Sequence, residues 1–568
     1  MRVLEKRFLR GPNIYCMAPC LVAVLDLEGH QPVDLEDLPD GAALWRTLLP
    51  GGYTPVSVDA DEVARLLARL MFAAQAWAGS PATYCDTVGP SSAAPGRYRL
   101  VCGYQHEAVA EAALRLAVEL VTALLSHQSV ALEARLGAVR ALADGHSHAT
   151  ATATATAPDR SAASHVGRIP VVAVTGTNGK TTTTQLIAHV LRACGVRTGT
   201  TTTQGIFIGG QCVQTGDCSG YWSARRVLTD PTVEVAALET ARGGILKRGL
   251  AFDRCDVGVV LNVSSDHLGL DGIETLHELA HVKGLVARCA RDAAVLNADD
   301  AWCVAMRESL SAGCQPVFFA MDSHNPVLLD HLRAGGAGTC LDDDGWLVWC
   351  SGGVRTRVVQ AAELPFTWQG RARYNTANAL AALAALRCLG YATTAIAGSL
   401  ARFVSDAKSN PLRGNEFEVG GVKLIVDYAH NVVAYRALCE TARSMLAGRA
   451  RLLGVVTSPG DRRREDLYET GRVCGLGFDE LVVYEQDPRG RSAGATSHEI
   501  LRGARSAAPG KPLHGEPRIR QALGLGLTAA SPGDVLVFTC AGSFDDLVEG
   551  VRLKNPAAAD RIAREVSR

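Results

Sequence analysis

The sequence predicts an α/β protein: a parallel sheet carrying a phosphate-binding loop, a second α/β alternation behind it, and a small α+β module in front. Three observations predict this. From residue 169 onward, short apolar runs alternate with segments of helical spacing. One strand–helix junction, VVAVTGTNGKTTTT from Val171 to Thr184, is glycine-bearing and contains a Lys-Thr pair. A low-complexity stretch, HSHATATATATAPDRSAASHVG, separates a short first part from a longer remainder between His146 and Gly167. Short strands bounded by helices read as a sheet covered on both faces.

The elements follow in order. Val22–Leu27 and Tyr98–Tyr104 read as strands of the first module. Between them, Asp61–Trp77 spaces Val63, Leu66, Leu67, Leu70, Met71 and Ala74 along one helix face. The Ala/Thr stretch has no apolar face to bury and is expected to be a flexible linker. Ile169–Val174, Val233–Leu238, Val257–Asn262 and Ala293–Asn297 are expected strands, and Thr181–Cys194 the helix after the phosphate loop. Asn375–Leu389 is an Ala-rich helical stretch. Asn410-Pro411 disfavours helix and marks a boundary near Arg413. Val422–Val426, Arg451–Val456, Glu480–Tyr484 and Val535–Thr539 are the strands of the second alternation. The expected domains are 1–145, a linker 146–167, a central domain 168–410 and a closing domain 411–568.

The chain has 568 residues, with 57 Lys+Arg against 58 Asp+Glu and 47% hydrophobic residues. That is enough apolar material for about three or four cores, and the even charge gives no support to a nucleic-acid or anionic-membrane surface. The 17 cysteines are scattered without metal-finger spacing and read as reduced, buried thiols. The opening MRVLEKRFLRGPNIY lacks the apolar core of a signal peptide, and no apolar run approaches the roughly 20 residues of a membrane span. The expectation is a soluble cytoplasmic protein.

The chemistry concentrates in the loop Gly176-Thr177-Asn178-Gly179-Lys180-Thr181-Thr182. Backbone N–H groups there can close around phosphate oxygens at a helix N-terminus. Lys180 would neutralise phosphate charge, and the Thr181 hydroxyl could ligate Mg²⁺. Val174 stands where the general phosphate-loop pattern has glycine, so the loop is a shortened variant.

This loop resembles that of the Mur ligase superfamily, three-domain ADP-forming amide ligases. The resemblance implies a central ATP-binding domain and a Rossmann-like C-terminal domain. ATP would phosphorylate a carboxylate, and an amine would then attack the acyl phosphate. It also implies further positions. Glu239 ends a strand where the superfamily has a Mg²⁺-binding Glu. Asn262-Val263-Ser264-Ser265-Asp266-His267-Leu268 resembles the segment whose His holds a second Mg²⁺. Lys283 falls where many members carry a carbamylated lysine. Tyr374-Asn375-Thr376-Ala377-Asn378 resembles the helix whose Asn375 and Asn378 positions approach adenine. Arg413, Asp427 and His430 lie in the ATP-facing segments of the closing domain. An Arg reaching γ-phosphate from a second domain would tie catalysis to closure.

Longer stretches narrow the likeness. Leu9–Tyr15, Asp230–Leu250, Phe252–Leu270 and Arg489-Gly490-Arg491 resemble the cyanophycin synthetases. Those enzymes add an ATP-grasp domain that extends an aspartate backbone, while their Mur part couples arginine to each β-carboxylate. Here the first module passes by a short linker into the Mur part, leaving no room for an ATP-grasp domain, so the chain alone is not expected to build a poly-aspartate backbone. The helix DEVARLLARLMFAAQAWAG has no histidine, and the first module is expected to be a scaffold or dimerisation unit of a homo-oligomer, dimer or tetramer. Gly220-Tyr221-Trp222 and Ala495 depart from the family's pattern and leave arginine open as the incoming amine. Asp487, Arg489 and Arg491 are the candidates for holding the incoming amino acid, since Arg can pair with an α-carboxylate and Asp with a cation. The expected reaction joins an amino acid to an aspartyl carboxylate of a small peptide or aspartate derivative. The competing expectations are a non-catalytic partner of a separate ATP-grasp ligase, and a Mur-type ligase for another acceptor.

Overall fold

The computed structural model describes residues 1–28, 30, 33–34, 57–80, 82, 84–89, 96–126, 135, 137–142, 169–539 and 543–567. The expected linker lies outside the described residues. The chain divides into two compact units: Met1–Val166 with Gly243–Asp253, and Gly167–Arg242 with Arg254–Arg568. No helix among the described residues is long and apolar enough to cross a membrane.

The first unit is the α+β module. Its antiparallel sheet runs in the order Arg2–Leu9, Cys20–Asp26, Arg97–Gly103, Cys85–Val88. The helix Ala60–Trp77 buries the face its spacing predicts, and Asp59 caps it by accepting from the Glu62 N–H. Glu107–Leu125 packs beside it in the same core. A segment from far downstream belongs to this unit. The Arg10 N–H donates to the Arg248 carbonyl at 2.8 Å, and the Leu250 N–H to the Pro12 carbonyl at 2.9 Å.

The second unit holds two sheets. The larger has eleven strands. Their order is Gln211–Thr215, Gly205–Ile208, Thr198–Thr202, Val235–Glu239, Val171–Thr175, Cys255–Val260, Ala290–Asn297, Gln315–Ala320, Ala337–Leu341, Trp346–Ser351, Val354–Gln360. The interior strands are parallel, as expected, and both edges add antiparallel hairpins that the apolar runs do not disclose. The reason is physical. Gln211–Thr215 is exposed throughout and Val354–Gln360 over most of its length, so neither needs an apolar run. Thr198–Thr202 is buried, yet is built of Thr and Gly.

Register sets the site. Glu239 lies opposite Val174, and Val260 opposite Thr175. The carboxyl ends of three adjacent strands therefore bring the phosphate loop, Glu239 and the segment after Val260 together, where ligands collect in such sheets. The loop feeds the helix Lys180–Ala193, covered by the Ala-rich helix Arg373–Cys388.

The second sheet has six strands, in the order Asn415–Val419, Val422–Asp427, Val535–Thr539, Leu452–Val456, Glu480–Val483, Leu513–Gly515. All its pairings are parallel except the one made by Asn415–Val419. Outside it the helices Arg464–Gly477 and Ala495–Ala507 pack at backbone contact. A Cβ on Gly471 would stand 1.9 Å from the Ile500 carbonyl oxygen, and one on Gly503 2.0 Å from that of Tyr468. Gly471→Ala should therefore cost about 1–3 kcal/mol of stability, as overpacking does. Thermal unfolding checks this, and an unchanged melting temperature would contradict the packing.

Candidate active site

The phosphate loop is shaped by one side chain. Asn262 Oδ1 accepts from the Thr177 and Asn178 N–H groups at 3.0 and 2.9 Å, and Asn262 Nδ2 donates to the Asn178 carbonyl at 3.2 Å. The Thr177 hydroxyl donates to the Ser264 carbonyl and accepts from the Ser264 N–H. Gly179 takes φ +87°, and a Cβ there would fall 2.2 Å from Asn378 Oδ1, so the turn tolerates glycine alone. Asn378 is held by donating to Asn375 Oδ1 at 3.2 Å, and Asn375 by donating to the Phe366 carbonyl at 2.7 Å. Both asparagines are buried against the loop's helix end.

Beyond the loop lies a buried carboxylate. Glu239 Oε2 accepts from the Thr181 hydroxyl at 2.9 Å and from the Thr203 N–H at 3.1 Å. Its Oε1 is buried with no hydrogen-bond partner among the described residues. Burial pushes this carboxyl above the usual range, although Lys180 and Arg413 pull the other way. Two hard oxygen donors, one of them incomplete, suit a small divalent cation such as Mg²⁺. Lys180 Nζ donates to the Thr177 carbonyl at 2.9 Å. From the second sheet's side, Arg413 donates to the Thr203 hydroxyl at 3.4 Å and lies 4.2 Å over the Tyr428 ring. Asp427 is half-buried nearby, its carboxyl raised by desolvation against Arg413's attraction, and accepts from the Ala429 N–H at 2.8 Å.

A second cluster lies on the loop's other flank. Asp266, buried, accepts from Arg462 Nε at Oδ1 (2.8 Å), while its Oδ2 faces His430 Nε2 and Asn431 Nδ2, each at 3.3 Å. Burial would raise the Asp266 carboxyl, but His430, His267 and Arg462 outweigh it and hold it well below the carboxylate range. Arg462 also donates to His267 Nε2 at 2.9 Å. Burial, against Asp266's attraction, pushes His267 down to about 3, so the imidazole is neutral and can accept. His267 carries φ +59°, an uncommon conformation for a non-glycine residue. Asn431 exchanges hydrogen bonds with Asn178 across the two sheets' ends. Lys283 is buried and donates to the Gly176 carbonyl at 2.7 Å, with burial and Lys180's charge holding its ammonium well below the lysine range.

The three candidates for the incoming amino acid lie in one loop with different duties. Asp487 is exposed. Arg489, at φ +45°, donates to Asp461 Oδ2 at 2.7 Å. Arg491 donates to the Gly460 carbonyl at 2.6 Å and to the Arg462 carbonyl, bracing the neighbouring loop. The structure thus brings Lys180, Thr181, Glu239 and Arg413 together, and His267 with His430, while Lys283 meets the loop from behind. Sequence reasoning missed Thr203, Asn262, Asp266, Asn431 and Arg462 as site members. Asp266 and Asn262 lay within the quoted Mur-like segment; Thr203 and Arg462 carried no local signal.

Glu239 supplies a pH test. A carboxyl raised in the native state favours folding below its unfolded pKa, and that contribution is lost as pH rises through the native pKa. Without metal, the parent chain's melting temperature should fall relative to that of Glu239→Gln as pH rises above the ordinary carboxylate range. Parallel curves would contradict the buried, unsatisfied carboxylate.

Residues 174–386 match the Mur ligase middle domain, and residues 413–542 the Mur ligase glutamate ligase domain. Over 346 residues, 60% of this chain, the sequence is 44% identical to a cyanophycin synthetase of Synechocystis sp., of which it spans only 39%. It is 28% identical over 421 residues to the UDP-N-acetylmuramoyl-L-alanyl-D-glutamate--2,6-diaminopimelate ligase of Geobacter metallireducens, covering 69% of this chain and 78% of that one. A solved bifunctional folylpolyglutamate synthase/dihydrofolate synthase with Mn, AMPPNP and L-glutamate bound superposes with a TM-score of 0.49 at 20% identity, covering 67% and 88% of the two chains. The chain carries the Mur ligase middle and C-terminal domains and is homologous to the cyanophycin synthetases and the Mur ligases.

Proposed function

We propose that this chain is an ATP-dependent, ADP-forming ligase that joins an amino acid to an aspartyl carboxylate, by resemblance the β-carboxylate, of a small peptide or aspartate derivative. The observation that carries the reading is the convergence of Lys180, Thr181 and Glu239 with Arg413 around Thr203. Two cations and a carboxylate–hydroxyl pair from two sheets then surround one place beside the phosphate loop. The homology to cyanophycin synthetases supports the acceptor class.

In this reading the N–H groups of the Gly176–Thr182 loop hold the triphosphate of ATP, and Asn375, Asn378, Asp427 and His430 border the nucleotide. Thr181 and Glu239 hold Mg²⁺, which supplies charge neutralisation for the phosphates. Lys180 and Arg413 stabilise the charge that develops as the acceptor carboxylate attacks the γ-phosphorus, forming an acyl phosphate and ADP. The amine then adds to the acyl carbon, and phosphate leaves from the tetrahedral intermediate. In this reading exposed Asp487 and partly exposed Arg489 would meet the incoming amino acid. Because Arg413 comes from the closing domain, phosphoryl transfer depends on the two domains being together.

Lys180→Ala should lower kcat by about 10²–10³-fold, the cost of removing one preorganised cationic donor, with the melting temperature retained. Near-parental turnover would remove Lys180 from the reaction. The acceptor is tested separately, by offering aspartyl peptides with each amino acid and following ADP release and product mass. An amide at an aspartyl carboxylate is expected. ADP release only with an acceptor of another class would overturn the aspartyl assignment.

A further inference from the structure

The Mur resemblance implies a second divalent cation at His267 and Lys283, and the residues present do not fit one. His267 Nε2 is occupied as acceptor by Arg462 at 2.9 Å. Lys283 Nζ is committed to the Gly176 carbonyl at 2.7 Å. The ligand atoms of Asp266, His267 and His430 do lie within 4.8 Å of one another, a grouping that could gather a metal ion. Yet a positive charge already stands there. Arg462 Nε binds Asp266 Oδ1 at 2.8 Å, and the two side chains are only 4% and 5% exposed. A divalent cation added to that cluster would face a buried guanidinium at contact distance, a repulsion poorly screened away from water.

Resting on the nucleotide-binding reading above, we propose that Arg462, delivered by the C-terminal domain, takes the place of a second metal ion beside the phosphate loop, so that the chain binds one divalent cation per nucleotide. The guanidinium is built to hold that position. Arg491 clamps the carbonyls of Gly460 and Arg462. Asp461 accepts from Arg462 at 2.6 Å and from Arg489 at 2.7 Å, tying the finger to the neighbouring loop. Gly460 is pressed so closely on that loop that a Cβ would lie 2.2 Å from the Pro488 carbonyl oxygen. A planar fork serves here as a point of metal charge would, spanning a carboxylate and an imidazole together. It has a further consequence: the charge is present only when the domain bearing Arg462 is docked, whereas a metal ion would diffuse in regardless.

The test counts metal. The full chain is saturated with AMP-PNP and titrated with Mn²⁺, free Mn²⁺ being read by electron paramagnetic resonance. One Mn²⁺ per chain is expected, and the same count in His267→Ala. Two Mn²⁺ per chain, with one lost in His267→Ala, would overturn the proposal while leaving the nucleotide reading intact. No bound Mn²⁺ with no bound AMP-PNP would overturn both. The parent count alone decides if the variant fails to fold.

Discussion

The arrangement depends on one buried ion pair, Arg462 with Asp266. Asp266 sits on the segment following the strand Cys255–Val260, and Arg462 on the loop following Leu452–Val456. Each would be costly to bury alone, and their mutual attraction, completed by His430, Asn431 and His267, offsets that cost only when the two sheets' carboxyl ends face each other. The pair therefore acts as a condition on assembly. When it forms, Asn431 reaches Asn178 of the phosphate loop and Arg413 reaches Thr203 beside Glu239. Removing either partner would leave an uncompensated charge between the domains and loosen both contacts at once.

A second constraint lies within the central sheet. Parallel register places Glu239 opposite Val174, so a carboxylate emerges beside the loop without any special turn. It is satisfied at one oxygen by Thr181 and Thr203 and left incomplete at the other. Burial makes that unpartnered oxygen costly to keep ionised. Lys180 and Arg413 provide the surrounding positive potential, which a few placed residues deliver in a chain of net charge −1.

Much of this was legible in the sequence because it is local. A strand, a glycine-bearing turn and Lys-Thr occupy fewer than twenty consecutive residues, and Glu239 and Asp427 sit at strand ends that apolar runs disclose. The four expected strands of the central sheet and the Ala-rich helix lie close to their expected limits for the same reason, whereas the interior strands Gln315–Ala320 and Ala337–Leu341 were not read. The edge hairpins did not, because an exposed antiparallel strand such as Gln211–Thr215 has no core face to advertise. Arg462 was hidden for a different reason. It stands in the run Asp461-Arg462-Arg463-Arg464, which reads as solvated charge, and only the fold separates a side chain 4% exposed from neighbours at 37% and 64%. Thr203 is likewise one more hydroxyl in the turn just past the Thr-rich strand Thr198–Thr202. The insertion of Gly243–Asp253 into the first unit left no trace at all, since backbone hydrogen bonding to Arg10 and Pro12 is blind to side-chain type.

The Arg462–Asp266 pair joins the two sheets' carboxyl ends beside the phosphate loop. A double-mutant cycle with Asp266→Asn and Arg462→Gln, read as the affinity for AMP-PNP with Mn²⁺, measures it directly. A coupling of about 1.5 kcal/mol or more, within the range seen for contacting residues, is expected. Effects that add to within about 0.5 kcal/mol would show that the two residues act independently, and would contradict it.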